Sequence, residues 1–62
     1  MLTDKQERFA QAYVLHRNAT EAAKAAGYSA RSAYNQGYRM LKNDIILERI
    51  SDLEQELVTN ID

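Results

Sequence analysis

Asn18–Lys42, NATEAAKAAGYSARSAYNQGYRMLK, holds two helix starts and one helix stop within its first twelve residues. Asn18 is a residue type that caps a helix by accepting from the orphan amides of the first turn, and Glu21, three positions on, has the spacing of a reciprocal capping box. Residues 19–26 have high helix propensity, and Gly27 then supplies the residue that most readily takes a left-handed C-terminal cap. Ser29 is a second N-cap only two residues later, which leaves room for a turn and nothing more. Helix, tight turn, helix is the pattern of a helix-turn-helix.

Ala19, Ala22, Ala23 and Ala26 recur at helical spacing and offer a face of methyl groups over which another helix can cross closely. In the second helix of the motif Ala30, Ala33, Gly37, Met40 and Leu41 gather on one side at about 100° per residue. The other side carries Arg31, Ser32, Asn35, Tyr38, Arg39 and Lys42. Donors, acceptors and positive charge outward, with small and apolar groups inward, are what a helix in a DNA major groove requires. A polar outer face is also the ordinary condition of a surface helix, so charge alone leaves DNA binding and simple solvation equally open.

Sixty-two residues make one domain at most, near the lower limit for a core that holds without metals or disulfides. There is no cysteine and one histidine, so neither staple is expected. Hydrophobic residues are 45% of the chain, but nine of them are alanines that fill little volume. Phe9, Tyr13, Tyr28, Met40, Leu41 and the aliphatics after Asp44 must therefore supply most of the buried area. No proline, two glycines and alanine-rich stretches predict an all-α fold, a small helical domain of about four helices over residues 4–15, 19–26, 30–42 and 44–58. No apolar run is long enough for a membrane span or signal peptide, so no membrane partner is expected and the cytoplasm is the default.

The net charge of −1 conceals a division. Residues 1–43 hold seven Lys/Arg and three Asp/Glu, a net of +4, whereas residues 44–62 hold one and six, a net of −5. A basic front and an acidic tail predict that a polyanion meets the first three helices while the last faces away. A pI near 5.7 is low for a DNA-binding module and predicts weak, salt-sensitive binding by a single copy.

Upstream, Thr3 and Gln6 have the spacing of a capping box, and Phe9 and Tyr13 stand one turn apart, placed to lay their rings over the alanine face. Lys5 and Arg8 are expected to point away from that seam, where they either touch phosphate or, as is the norm for exposed charges, are simply solvated. His16 has no metal-ligand neighbours at the required spacing. Arg17, beside the Asn18 cap, is a candidate phosphate contact, because helix N-termini attract anions. Tyr28 is expected to plug the turn, and Gly37 to admit another backbone closely or to kink its helix. After the Asn43/Asp44 capping signal, Ile46, Ile50, Leu53 and Leu57 follow at spacings of four, three and four. The start of that stripe is expected to close the core, its continuation to begin an oligomerisation helix, and residues 58–62 to fray. The acidic residues after Asp44 look like solubilising charge on an outer surface.

Leu-Thr-x-Lys-Gln-Glu-x-Phe at 2–9 and Asn-Ala-Thr-x-Ala-Ala-x-x-Ala-Gly-Tyr-Ser at 18–29, followed by a polar helix and an Ile/Leu-rich one, resemble the N-terminal DNA-binding domain of the small terminase subunits of tailed bacteriophages. The resemblance covers residues 2–53. It implies recognition of the packaging site on double-stranded viral DNA in the host bacterial cytoplasm, a partnership with a separate ATPase and nuclease large subunit, and self-association into a ring. Ending at Asp62, the chain departs from the family pattern, so the ring-forming part is expected to be short, missing or cut away.

On this reading Arg31, Asn35 and Arg39 reach base edges, Ser29, Ser32, Lys42 and Arg17 turn toward phosphates, and Tyr38 shares the outward face. Two alternatives remain: a helical protein-interaction module assembling through the Ile/Leu stripe, and a helix-turn-helix transcriptional regulator acting as a symmetric dimer on a palindromic site. No nucleophile–base pair, carboxylate pair in a pocket, metal cluster or nucleotide-binding loop is visible, so neither catalysis nor a cofactor is expected.

Overall fold

A computed structural model describes residues 2–59, with side chains through Leu57. It consists of four helices: α1 (Asp4–His16), α2 (Ala19–Ala25), α3 (Ala30–Met40) and α4 (Asp44–Thr59). Each begins at a polar cap. Thr3 and Gln6 form the complete reciprocal box at the start of α1. The Asn18 and Ser29 side chains accept from the amides three residues on, and Asn43 Oδ1 accepts from the Ile45 amide. At Asn18 only half of the expected box forms, because the Glu21 carboxylate turns to Lys24 at 3.5 Å. The expected fraying concerns residues 58–62; the α4 backbone reaches Thr59, and residues 60–62 lie outside the described residues.

The stop after α2 is a Schellman turn. Gly27 has φ +107°, the Tyr28 amide donates to the Ala23 carbonyl and the Gly27 amide to the Lys24 carbonyl, satisfying two of the helix's orphan acceptors. α1 ends in a left-handed residue as well, but there it is Arg17, at φ 55°. This corner lets α2 fold back on α1.

α2 packs on one side against α1 and on the other against α3, while α4 packs on α1. The core is Phe9, Ala10, Ala12 and Val14 of α1, Ala19, Ala22 and Ala23 of α2 with Ala26, Ala33 and Met40 of α3, and Ile46 and Ile50 of α4. Phe9 and Ile46 are its largest fully buried side chains. Bulk from α1 and α4 thus fills the space that the alanines leave. Tyr13 stacks on Phe9 with ring centroids 5.9 Å apart and remains half-buried. Burial fades along the α4 stripe: Ile46 and Ile50 are enclosed, Leu53 is half-buried and Leu57 is exposed.

One expectation of the inward face of α3 needs correcting, and another is met. Ala30 is exposed, so the seam consists of Ala33, Gly37 and Met40, with Leu41 partly buried against the core. Gly37 does admit another backbone closely, that of Ala19, whose carbonyl oxygen would stand 2.4 Å from a Cβ at that position.

Two long-range ion pairs fasten α4 to the front of the domain. Arg49 Nε reaches both oxygens of Glu7, at 3.0 and 3.2 Å, and its Nη2 adds a third bond at 3.0 Å, while the Gln11 amide donates to the same carboxylate at 2.7 Å. Arg17 Nη2 meets Glu54 Oε2 at 2.6 Å. Glu54 is therefore a partner of α1's corner rather than purely solubilising charge.

Candidate nucleic-acid interface

With Ala33, Gly37 and Met40 turned into α2, the helical screw leaves Arg31, Asn35, Tyr38, Arg39 and Lys42 on the outer side of the α3 segment, and all five are exposed. From Ser29 to Asn43 the chain carries no carboxylate. Among the described residues Arg31, Arg39 and Lys42 enter no ion pair, whereas Arg17, Lys24 and Arg49 each have an acidic partner. The result is a ridge of uncompensated positive charge with a hydrogen-bonding amide in its middle.

At the head of α3 the Ser29 hydroxyl oxygen accepts from the Ser32 amide at 3.3 Å and lies 3.0 Å from the Ser32 hydroxyl, which also donates to the Ser29 carbonyl at 3.4 Å. Both serines are thus engaged in the cap. The Ala30 and Arg31 amides that follow have, by helix geometry, no carbonyl behind them, and they share their end of the helix dipole with no acidic side chain.

Arg17 stands apart from this group, since its guanidinium is directed across to Glu54 on α4. Lys5 is exposed, as expected, and in addition its ammonium lies 4.6 Å from the centroid of the Tyr28 ring, over the plug in the turn. Sequence reasoning passed over Tyr34. It is 61% exposed, one turn before Tyr38, with the two ring centroids 4.8 Å apart. The four-residue spacing of the two tyrosines was the available signal.

A second surface feature lies between α1 and α4, where Gln11, Val14, Leu15, Leu53, Glu56 and Leu57 line an open groove of about 250 Å³. Among the described residues no group of His, Cys, Asp or Glu is arranged to hold a metal ion, and no helix is long and apolar enough to cross a membrane.

An all-α helix-turn-helix domain with an unpaired cationic ridge on its second motif helix is the class that these features define. The family model for the terminase small subunit matches residues 2–62, and the chain belongs to that family. Over 60 residues it is 38% identical to the PBSX phage terminase small subunit of Bacillus subtilis (strain 168), covering 97% of this chain and 23% of that protein. Over 65 residues it is 34% identical to the terminase small subunit of Staphylococcus phage 80alpha, covering 97% of this chain and 44% of that protein. The chain therefore spans less than half the length of either relative. No solved structure matches it significantly.

Proposed function

We propose that this chain is the non-catalytic DNA-binding unit of a terminase small subunit, reading packaging-site DNA with α3 in the major groove. The observation that carries the reading is the exposed, carboxylate-free face of α3, on a helix-turn-helix in a chain of this family. Arg31 and Arg39 suit the paired acceptors of guanine, and Asn35 the donor–acceptor pair of adenine. Lys42 and the first-turn amides of α3 turn toward phosphates, the hydroxyls of Ser29 and Ser32 join them by exchanging their bonds within the cap, and Tyr38 lies on the same face. Arg17, whose Nη2 meets Glu54, keeps further guanidinium N–H donors with which to meet a phosphate. On this reading the domain works in the host bacterial cytoplasm beside a separate large subunit that supplies the ATP-driven chemistry.

The deciding experiment replaces Arg31 and Arg39 by Ala and compares binding to a packaging-site duplex with binding to random DNA. Selective loss on the specific duplex marks base readers, and equal loss on both marks phosphate contacts. Unchanged binding to both removes α3 from the interface.

One observation favours self-association in addition. Leu15 is 76% and Leu57 48% exposed on the two walls of the α1–α4 groove, continuing the buried Ile46–Ile50 stripe into solvent. Joining several weakly binding copies would raise affinity through effective concentration. Sedimentation over a range of concentrations, with and without Leu57→Asp, tests it; a wild-type chain that stays monomeric at every concentration excludes it.

A further inference from the structure

Arg31, Tyr34, Tyr38 and Lys42 follow one another at spacings of three, four and four, so a single stripe runs cation, aromatic, aromatic, cation. The two phenol rings are 61% and 50% exposed, lie with centroids 4.8 Å apart and are tilted by 52°, which makes them one joint apolar ridge rather than two independent side chains. Neither belongs to the core or packs against it. The occupant of the ridge has to be anionic at its rims, because cations bracket the stripe and α3 bears no carboxylate. It also has to present apolar groups between its charges.

Duplex DNA meets both conditions, since thymine 5-methyl groups project into the major groove between two lines of phosphates. We infer that Tyr34 and Tyr38 form a thymine-methyl reader, a specificity element separate from the guanine- and adenine-directed side chains. The inference rests on the proposal that α3 enters the major groove. It adds that the preferred site carries thymine where this flank of the helix lies.

The test uses a duplex that the protein itself selects from a random-sequence pool, remade with deoxyuridine in place of every thymidine. That exchange preserves phosphates and base pairing and deletes the methyl groups. Wild-type affinity is expected to fall about fourfold for each methyl contacted, the equivalent of one buried methylene. The double variant Tyr34→Ser/Tyr38→Ser should bind both duplexes equally, with helical content unchanged because neither ring is in the core. Equal wild-type binding to the two duplexes overturns the inference. So does a variant that folds and keeps the wild-type ratio, or one whose only change is weaker self-association. A wild-type chain that selects no duplex at all overturns the groove-binding proposal along with it.

Discussion

Gly37 of α3 lies against the backbone of Ala19 at the start of α2, so close that a side-chain carbon on Gly37 would stand 2.4 Å from the Ala19 carbonyl oxygen and 2.8 Å from its carbon. The obstacle is main chain, which has no rotamer to turn away. Gly37→Ala should therefore destabilise the domain by about 1–3 kcal/mol, outweighing the roughly 1 kcal/mol that alanine gains over glycine in a helix. Thermal unfolding checks it, and a variant as stable as wild type would show that the two helices do not meet there.

Gly27 offers the contrasting case. A Cβ there would meet only the Lys5 side chain, at an ordinary 3.8 Å, but φ is +107°. Gly27→Ala should lose about 1–2 kcal/mol through backbone strain alone. Asparagine, which tolerates left-handed backbone better, is expected to lose less than alanine in the same urea titration.

Glu7 governs part of the acid response. Hydrogen bonds from Arg49 first, then from Gln11, hold its carboxyl below the usual glutamate range, and the same bond raises Arg49. The folded-state pKa lies below the unfolded-state value of about 4.3, so this contribution is present above that pH and is lost as pH falls through the folded-state value. Glu7→Gln should be less stable than wild type at neutral pH, and its urea midpoint should decline less between about pH 5 and pH 3. Parallel declines in the two proteins would exclude the pair as a source of acid sensitivity.

These pairs also mark where sequence reading stops. Caps and stops lie within a few residues of the helices they bound, so Thr3 with Gln6, Asn18, Gly27 and Ser29 were legible from spacing. The inward set of Ala33, Gly37 and Met40 was legible from periodicity. Glu7 and Arg49 stand 42 residues apart, and only the docking of α4 on α1 brings them together. The pairing of Arg17 with Glu54 was hidden for the same reason, because nothing local reveals that partner. Glu21 missed its box through a local competition with Lys24 that spacing alone does not decide.

Core and groove should respond oppositely to truncation. Phe9 and Ile46 are fully buried, so Phe9→Ala should cost about 3–5 and Ile46→Ala about 2–5 kcal/mol, enough to unfold much of so small a domain. Leu15→Ser should stay within about 0.5 kcal/mol of wild type in the dilute chain and weaken any self-association. Chemical denaturation at low and high protein concentration separates the two effects.

Lys42 should behave as a pure phosphate contact. Lys42→Ala is expected to weaken specific and random duplexes alike and to lower the slope of log affinity against log salt by about 1. An unchanged slope would place Lys42 outside the interface.

Among the described residues α4 is moored to α1, and α3 to α2, so the two outer helices share little beyond the pair between them. Met40 of α3 and Ile46 and Ile50 of α4 nevertheless share one core, so a pull on α4 is carried to α3 through buried side chains. The domain is thus built like a fist rather than a wrist: one closed unit, whose grip and whose anchorage turn together.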